Sequence, residues 1–223
     1  MPTPPCRVCN GAAAVFYKDV RTFHRCGNCS LIFTGEIAPP PEQEKHYKAQ
    51  WGNQQAEFWK GQADAILQII RQYHEPRRIL DFGAGSGALT DELRKRGLDC
   101  TPLEPMIHGF LKDQKYPHKF DAIVGVEVIE HLPNLWEELR GMEKVLAPGG
   151  VMLFTTLLTE AFINAPDAAA QFKAWWYKDD QTHVTFFGYR SLEVLGDIAS
   201  YDVDVILDKV IVFRKKGTHL FVA

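Results

Sequence analysis

The residues of this chain that could do chemistry fall into three groups, and the first is a glycine loop. Ile79-Leu80-Asp81-Phe82-Gly83-Ala84-Gly85-Ser86-Gly87 is an apolar strand running into a loop with glycine at every second position. Such a loop lets backbone N–H groups approach a ligand, and it feeds a helix whose N-terminus carries partial positive charge. Gly83-x-Gly85-x-x-Ala88 satisfies the dinucleotide fingerprint, with Glu104 at a distance suited to a ribose. Asp81, two residues before the first glycine, points elsewhere, because its charge would repel a pyrophosphate and attract an ammonium group. The second group is Glu127-x-x-Glu130-His131, with His183 later in the chain. The third is Cys6-x-x-Cys9 and Cys26-x-x-Cys29, separated by sixteen residues.

Two segments downstream of the loop extend the first pattern. They are Phe120-Asp121-Ala122-Ile123-Val124-Gly125-Val126-Glu127-Val128-Ile129-Glu130-His131-Leu132 and Val145-Leu146-Ala147-Pro148-Gly149-Gly150-Val151-Met152-Leu153-Phe154. Together with the loop they resemble the class I S-adenosylmethionine (SAM)-dependent methyltransferases, in the branch that includes the coenzyme Q O-methyltransferases. The resemblance covers residues 76–156 well and the remainder loosely. It implies an α/β, Rossmann-like doubly wound sheet, mostly parallel with an antiparallel last strand, and SAM as the cofactor. Carried onto this sequence, Asp81 would meet the methionine end of SAM, helped by backbone groups at Gly83 and Gly85. Gly87 would let the following helix pack close, and Glu104 would accept hydrogen bonds from the ribose hydroxyls. Val126 and Glu127 end the fourth strand of the family's sheet, where backbone carbonyls commonly touch the cofactor. Asp113 is the nearest candidate for the acid beside the adenine.

A helix beginning at Glu127 would place Glu127, Glu130 and His131 on one face. Two carboxylates and an imidazole suit Mg²⁺ or Mn²⁺. The E-x-x-E-H run is similar to that of small-RNA 3′-terminal 2′-O-methyltransferases, which hold a metal beside the acceptor hydroxyl, and His183 would be the fourth ligand. In the alternative, Glu130 and His131 cap the helix and line the pocket without metal. SAM carries its methyl on a sulfonium, so the protein must mainly align the acceptor and exclude water. A hydroxyl acceptor must also lose its proton, and His183 and His131 are the candidate catalytic bases.

The paired cysteines Cys6, Cys9, Cys26 and Cys29 have the spacing of a closed, structural zinc site. Val15–Tyr17 and Thr22–His24 read as two short strands of a zinc ribbon. Arg7, Lys18, Arg21 and Arg25 against Asp19 make this module mildly basic. It would either grip a substrate or simply use metal in place of a core that so short a segment lacks. Cys100, alone in an apolar strand, reads as a core residue.

The elements that position these groups divide the chain into a zinc ribbon (1–38), a linker and helical lid (39–75) and a methyltransferase domain (76–223). Ala38-Pro39-Pro40-Pro41-Glu42 is a stiff linker. From Gln43 to Tyr73, Phe58, Trp59, Ala63, Ile66, Leu67, Ile69 and Ile70 recur at helical period, and Pro76 ends the segment. Strands are expected at Arg78–Phe82, Cys100–Leu103, Ala122–Val126, Val151–Thr156, Val203–Leu207 and Val210–Lys215. Helices are expected near Ala88–Arg96, Leu135–Val145 and Ser191–Ile198. Met106–Lys119 is short and polar, so the third strand usual in the family is abbreviated or poorly marked.

At 223 residues the chain can bury an ample core, and a net charge of −3 gives no global pull toward nucleic acid or anionic lipid. No apolar run approaches the ~18 residues of a membrane span. Met1-Pro2-Thr3-Pro4-Pro5 lacks the basic and apolar regions of a signal peptide. A cytoplasmic protein with reduced thiols is expected. Phe172, Trp175, Trp176 and Tyr177, with Tyr47, Trp51 and Trp59, could wall an acceptor pocket. Base N-methyltransferases usually carry Asn/Asp-Pro-Pro-aromatic after the fourth strand, where this chain has Val126-Glu127-Val128-Ile129. The expected acceptor is therefore a small molecule of quinone, sugar or secondary-metabolite type, methylated on oxygen or carbon. An RNA methyltransferase using the ribbon as a grip and a non-catalytic SAM-binding protein are the alternatives, and no membrane partner is expected.

Overall fold

The structure is a computed structural model and describes residues 3–39, 42, 45, 47 and 56–217. Trp51 and, in the proline linker, Pro40 and Pro41 lie outside the described residues. The chain opens with strands β1 (Ala13–Lys18), β2 (Thr22–Cys26) and β3 (Ile32–Thr34), paired in antiparallel order. Helix α1 (Ala56–Ile70) buries Ala63, Ile66, Leu67 and Ile70 of the expected stripe, while Trp59 and Ile69 are half-buried and Phe58 is exposed.

The α/β unit follows as β4 (Arg78–Phe82), α2 (Ala88–Lys95), β5 (Asp99–Leu103), the short α3 (Pro105–His108), β6 (Phe120–Val126), α4 (Leu135–Val145) and β7 (Leu146–Thr155). Then come α5 (Ala168–Ala174), β8 (Thr185–Phe186), α6 (Tyr189–Ala199), β9 (Tyr201–Ile206) and β10 (Val210–Lys215). The main sheet has the order β5-β4-β6-β7-β10-β9. Its first four strands run parallel, while β10 is antiparallel to both neighbours. This is the doubly wound sheet with an antiparallel closing strand expected from the sequence. Among the described residues no strand lies between β5 and β6, only α3 and a single 3₁₀ turn at Leu111–Asp113, so β5 is a sheet edge.

Alternation along the strands sends side chains to two separate cores. Ile79, Ala122, Val124, Val151, Leu153 and Val212 pack under α1 and α2. Leu80, Ile123, Met152, Phe154, Ile211 and Phe213 face the other way, against α4 and α6. Ribbon residues Val8, Leu31, Phe33, Cys6, Cys26 and Cys29 join this second cluster.

The ribbon and the α/β unit also share a sheet, because β3 pairs antiparallel with β8 to give the order β1-β2-β3-β8. Arg7 donates to the carbonyls of Thr34 and Pro133, and Trp136 Nε1 donates to the Val8 carbonyl at 3.1 Å. Phe172 and Trp175 make edge-to-face contacts beneath the ribbon, Phe172 with Phe23 and Phe186, Trp175 with Phe162 and Phe186.

Candidate functional site

The carboxyl ends of β4, β5 and β6 meet at one edge of the sheet, the position at which α/β folds of this kind bind ligands. Asp81 lies near the end of β4, is 2% exposed, and accepts a 2.6 Å hydrogen bond from Thr90 Oγ1 on α2. Burial pushes its carboxyl up to about 6, against the lowering effect of the Thr90 bond.

The loop that follows holds Gly83, Gly85 and Gly87 at φ of 74°, 53° and 82°, the left-handed region that favours glycine. Gly83 also meets a close neighbour, since a Cβ there would lie 2.5 Å from Val128 Cγ2. Gly87 does not play the close-packing role expected of it. A Cβ at Gly87 would meet nothing within 4 Å, so its φ at the N-cap of α2 is what selects glycine.

Glu104 follows β5 and is 7% exposed, so it is no solvated turn acid. Its carboxylate accepts from Gly85 N at 3.0 Å and from Met106 N at 3.3 Å, tying the glycine loop to the start of α3. His108, which sequence reasoning passed over, accepts the Glu104 backbone N–H through Nδ1 at 2.9 Å. Asp113 lies exposed in the 3₁₀ turn.

The expected helix at Glu127 is absent. Glu127 has φ 53°, Ile129–His131 forms one 3₁₀ turn, and α4 starts only at Leu135. Pro133 accounts for this, because it bars helical continuation through the residue before it. Glu127 is held by Thr155, whose backbone carbonyl and hydroxyl accept its N–H and whose hydroxyl donates to Oε1 at 2.9 Å. Tyr177 OH approaches Glu127 Oε2 at 3.0 Å, Glu130 Oε1 at 2.5 Å and Thr156 Oγ1 at 3.0 Å. A phenol has one proton, so bonding to two carboxyl groups requires that one of them be protonated. Glu130 fits that role: it is fully buried, and burial with the nearby Glu127 charge raises its carboxyl to about 8.

His183 is 5% exposed, and its Nδ1 lies 2.7 Å from the Tyr177 carbonyl. A carbonyl only accepts, so Nδ1 carries the proton and Nε2 presents a lone pair. That nitrogen lies 3.9 Å from Glu130 Oε1 and 3.8 Å from Asp180 Oδ2, and burial lowers the pKa of the ring. His131 stands beside it, with ring centroids 4.6 Å apart, and Tyr47 stands 5.5 Å from His131. Glu130, His131 and His183 bring one ligand atom each within 4.8 Å of one another. Glu127 is outside this set, its carboxylate being engaged by Thr155 and Tyr177, so the expected four-residue group contracts to three. Val128 joins the two halves of the site, touching Gly83 from between Glu127 and Glu130.

Of the aromatic residues expected to wall a pocket, Tyr47 and Tyr177 reach the site. Phe172 and Trp175 are packed under the ribbon, Trp176 is 68% exposed, and Trp59 joins the core beneath α1. Sequence reasoning also missed Thr90, Thr155 and Arg21, whose partners are distant in the chain.

In the ribbon the four cysteine sulfurs lie within 4.8 Å of one another, with contacts of 3.5–3.7 Å. Four thiolates on a tetrahedral ion at about 2.3 Å would be separated by nearly this much. Asn10 and Ser30, each following the second cysteine of its pair, take φ of 55° and 60° and give the two turns the same shape.

A methyltransferase-domain family model matches residues 51–204. The chain belongs to the class I SAM-dependent methyltransferases. The ubiquinone biosynthesis O-methyltransferase of Idiomarina loihiensis is 25% identical over 166 residues, which cover 63% of this methyltransferase and 68% of that protein. Further ubiquinone biosynthesis O-methyltransferases are matched over 42% to 50% of their lengths. Among solved structures, the plantazolicin methyltransferase BpumL shares the fold at a TM-score of 0.57 and 13% identity, covering 79% of this chain and 91% of that one. The sugar N-methyltransferase KedS8 from Streptoalloteichus sp. does so at 0.54 and 14%, covering 77% and 92%. The buried Asp81, the left-handed glycine loop and Glu104 form the donor and acceptor set that fits SAM in such an enzyme. Among the described residues no helix is long and apolar enough to cross a membrane.

Proposed function

We propose that this methyltransferase transfers the methyl group of SAM to an oxygen of a small molecule, with His183 as the base that receives the acceptor's proton. A carbon acceptor of the same small-molecule class would use the same pocket. The observation that carries the reading is the contact between Gly83 and Val128. It sets the cofactor loop directly against the turn bearing Glu127, Glu130 and His131. The relatives named for ubiquinone, plantazolicin and sugar chemistry support a small-molecule acceptor.

SAM, when bound, supplies a methyl group already activated on a sulfonium. Asp81 would hold the ammonium of its methionine moiety, Gly83 and Gly85 the adjoining backbone contacts, and Glu104 the ribose. His183, with Nδ1 fixed on the Tyr177 carbonyl, turns the basic Nε2 toward the acceptor side, and its lowered pKa keeps it neutral near pH 7. Glu130, protonated through its raised pKa and bonded to Tyr177, adds no second negative charge beside Glu127.

A second reading gives Glu130, His131 and His183 a divalent cation, Mg²⁺ or Mn²⁺. It is favoured by Glu130 Oε2, which is buried with no hydrogen-bond partner. In that case the ion would displace the Glu130 proton and hold the acceptor oxygen. We assign Zn²⁺ to Cys6, Cys9, Cys26 and Cys29, which requires the reduced thiols of a cytoplasmic protein. The ribbon's role as an RNA grip loses support from its arginines, since Arg7 and Arg21 spend their guanidinium donors on carbonyls inside the protein.

A panel of phenols, catechols, sugars and a short RNA, assayed for S-adenosylhomocysteine release, tests the reading. Turnover of a small molecule, lost in His183→Ala, is expected, and turnover of RNA alone would overturn it. Activity that survives EDTA in protein whose zinc is retained would remove the second reading. Absence of SAM binding in calorimetry would sink the whole assignment.

A further inference from the structure

The buried group that the methyl-transfer chemistry does not use is Arg21, in the turn between β1 and β2. Its guanidinium reaches across to a segment more than 150 residues away and gathers four backbone carbonyls there. Nη1 donates to Gln181 O at 3.2 Å and His183 O at 3.0 Å, and Nη2 donates to Asp180 O at 3.0 Å and to Lys178 O. The ring of Phe23 lies 4.9 Å from the guanidinium carbon and closes the site from the ribbon side. Asp19 fixes the turn, accepting the Arg21 N–H at 2.9 Å, and Lys178 Nζ lies 3.5 Å from Asp19 Oδ2.

Residues 180–184 belong to no helix or strand, so their carbonyls have no regular donors. Arg21 supplies them with one planar fork, which a lysine ammonium cannot imitate. The segment so held is the one that carries His183. Its C-terminal end is fixed at Val184, whose carbonyl accepts from Thr34 N and whose N–H donates to Glu130 O. The Tyr177 carbonyl that orients the His183 ring immediately precedes the Lys178 carbonyl on Arg21.

We propose that Arg21 is a positioning residue for the active site, through which the ribbon sets the tautomer and aim of His183. This rests on reading His183 as an active-site group, and it holds whether Nε2 serves as base or as ligand. The ribbon is then a structural arm of the catalytic machinery. The guanidinium does not touch cofactor or acceptor; it acts through the 178–183 backbone.

The test uses the full-length, zinc-loaded protein, with ¹⁵N-labelled histidine and S-adenosylhomocysteine as the only ligand. In wild type, NMR should show one neutral His183 tautomer with the proton on Nδ1. In Arg21→Ala, that single state should give way to averaged or doubled signals, while calorimetric affinity for S-adenosylhomocysteine stays within about threefold, because Asp81 and Glu104 are untouched. Added guanidinium ion, well below denaturing concentration, should restore the single state, and ammonium should not. Arg21→Lys provides the same reading if the alanine variant fails to fold, and should also lose the single state. A folded variant in which His183 keeps one Nδ1–H tautomer overturns the proposal. Failure of His183→Ala to affect turnover would refute the base assignment and leave this NMR result standing, so the two readings fail separately.

Discussion

If Asp81 holds the ammonium of SAM as proposed, its charge state should affect stability and cofactor affinity in opposite directions. Burial raises its carboxyl from 3.8 to about 6, despite the bond from Thr90. A carboxyl raised on folding favours the folded state while protonated. Its contribution is therefore fully present below about pH 4 and lost as pH rises through about 6. A shift of about two units corresponds to about 3 kcal/mol, so at pH 7 the ligand-free protein carries a buried charge that costs about that much. In the proposed SAM site, binding would need that charge, because the cofactor's ammonium would pair only with the carboxylate. Between pH 7 and pH 5 the ionised fraction falls about tenfold, while an α-amino group with a pKa near 8 stays protonated. The dissociation constant for S-adenosylhomocysteine should therefore rise about tenfold over that range, or about 1.4 kcal/mol. Isothermal calorimetry at half-unit steps measures this directly. Asp81→Asn should bind about 10- to 100-fold more weakly at pH 7, having lost a charged hydrogen bond of about 1.5–3 kcal/mol, and should show no slope toward pH 5. The same variant, without ligand, should resist urea better than wild type at pH 7 and not at pH 4. A wild-type affinity that is flat between pH 7 and 5, or an Asn variant that keeps the slope, would refute the reasoning.

Gly83→Ala combines a left-handed φ of 74° with a Cβ 2.5 Å from Val128 Cγ2, and should lose about 2–4 kcal/mol in urea unfolding. Adding Val128→Ala should recover the steric part and leave the backbone part, and a single variant within about 0.5 kcal/mol of wild type would contradict the geometry. Tyr177→Phe strips the hydroxyl that bridges Glu127 and Glu130 and should cost about 1–3 kcal/mol by the same assay, with a null effect arguing against the short contacts to both carboxyl groups. Cys9→Ser should bind less than one zinc per chain by elemental analysis. It should also speed hydrogen exchange at the amide of Thr34, which donates to the Val184 carbonyl across the ribbon boundary, and unchanged protection there would show that the ribbon stands without its metal.

Much of the α/β unit was legible because its signals are local. The edges of β4 and β10 coincide with those read from alternating and apolar runs, and α4 begins and ends where its heptad-like stripe does. The left-handed loop at Gly83, Gly85 and Gly87 was legible because such a turn writes its backbone needs into closely spaced residues. The Glu127 region misled because its helical spacing of acids outweighed Pro133, which stands two residues after His131 and already opposes a helix there. Strands β3 and β8, three and two residues long, are too short to show a period. Tyr177 and Arg21 were opaque for another reason. The Tyr177 hydroxyl meets carboxyl groups 47 to 50 residues away and the Arg21 guanidinium meets carbonyls 157 to 162 residues away, and no single residue type announces such pairings.

The pairing of β3 with β8 has a consequence for how the protein is born. The ribbon leaves the ribosome early, yet Lys178, the partner of Arg21, follows it by 157 residues. At 5–20 residues per second, a nascent ribbon waits about 10–30 s before that segment exists. Throughout that interval the hydrogen-bonding edge of β3 is open and the rings of Phe23 and Phe33 lack part of their cover. Early capture of zinc by the two cysteine pairs would keep so small a sheet folded through the wait. Synthesis under metal limitation should then lower the yield of soluble enzyme more than removal of metal from the finished protein lowers its stability.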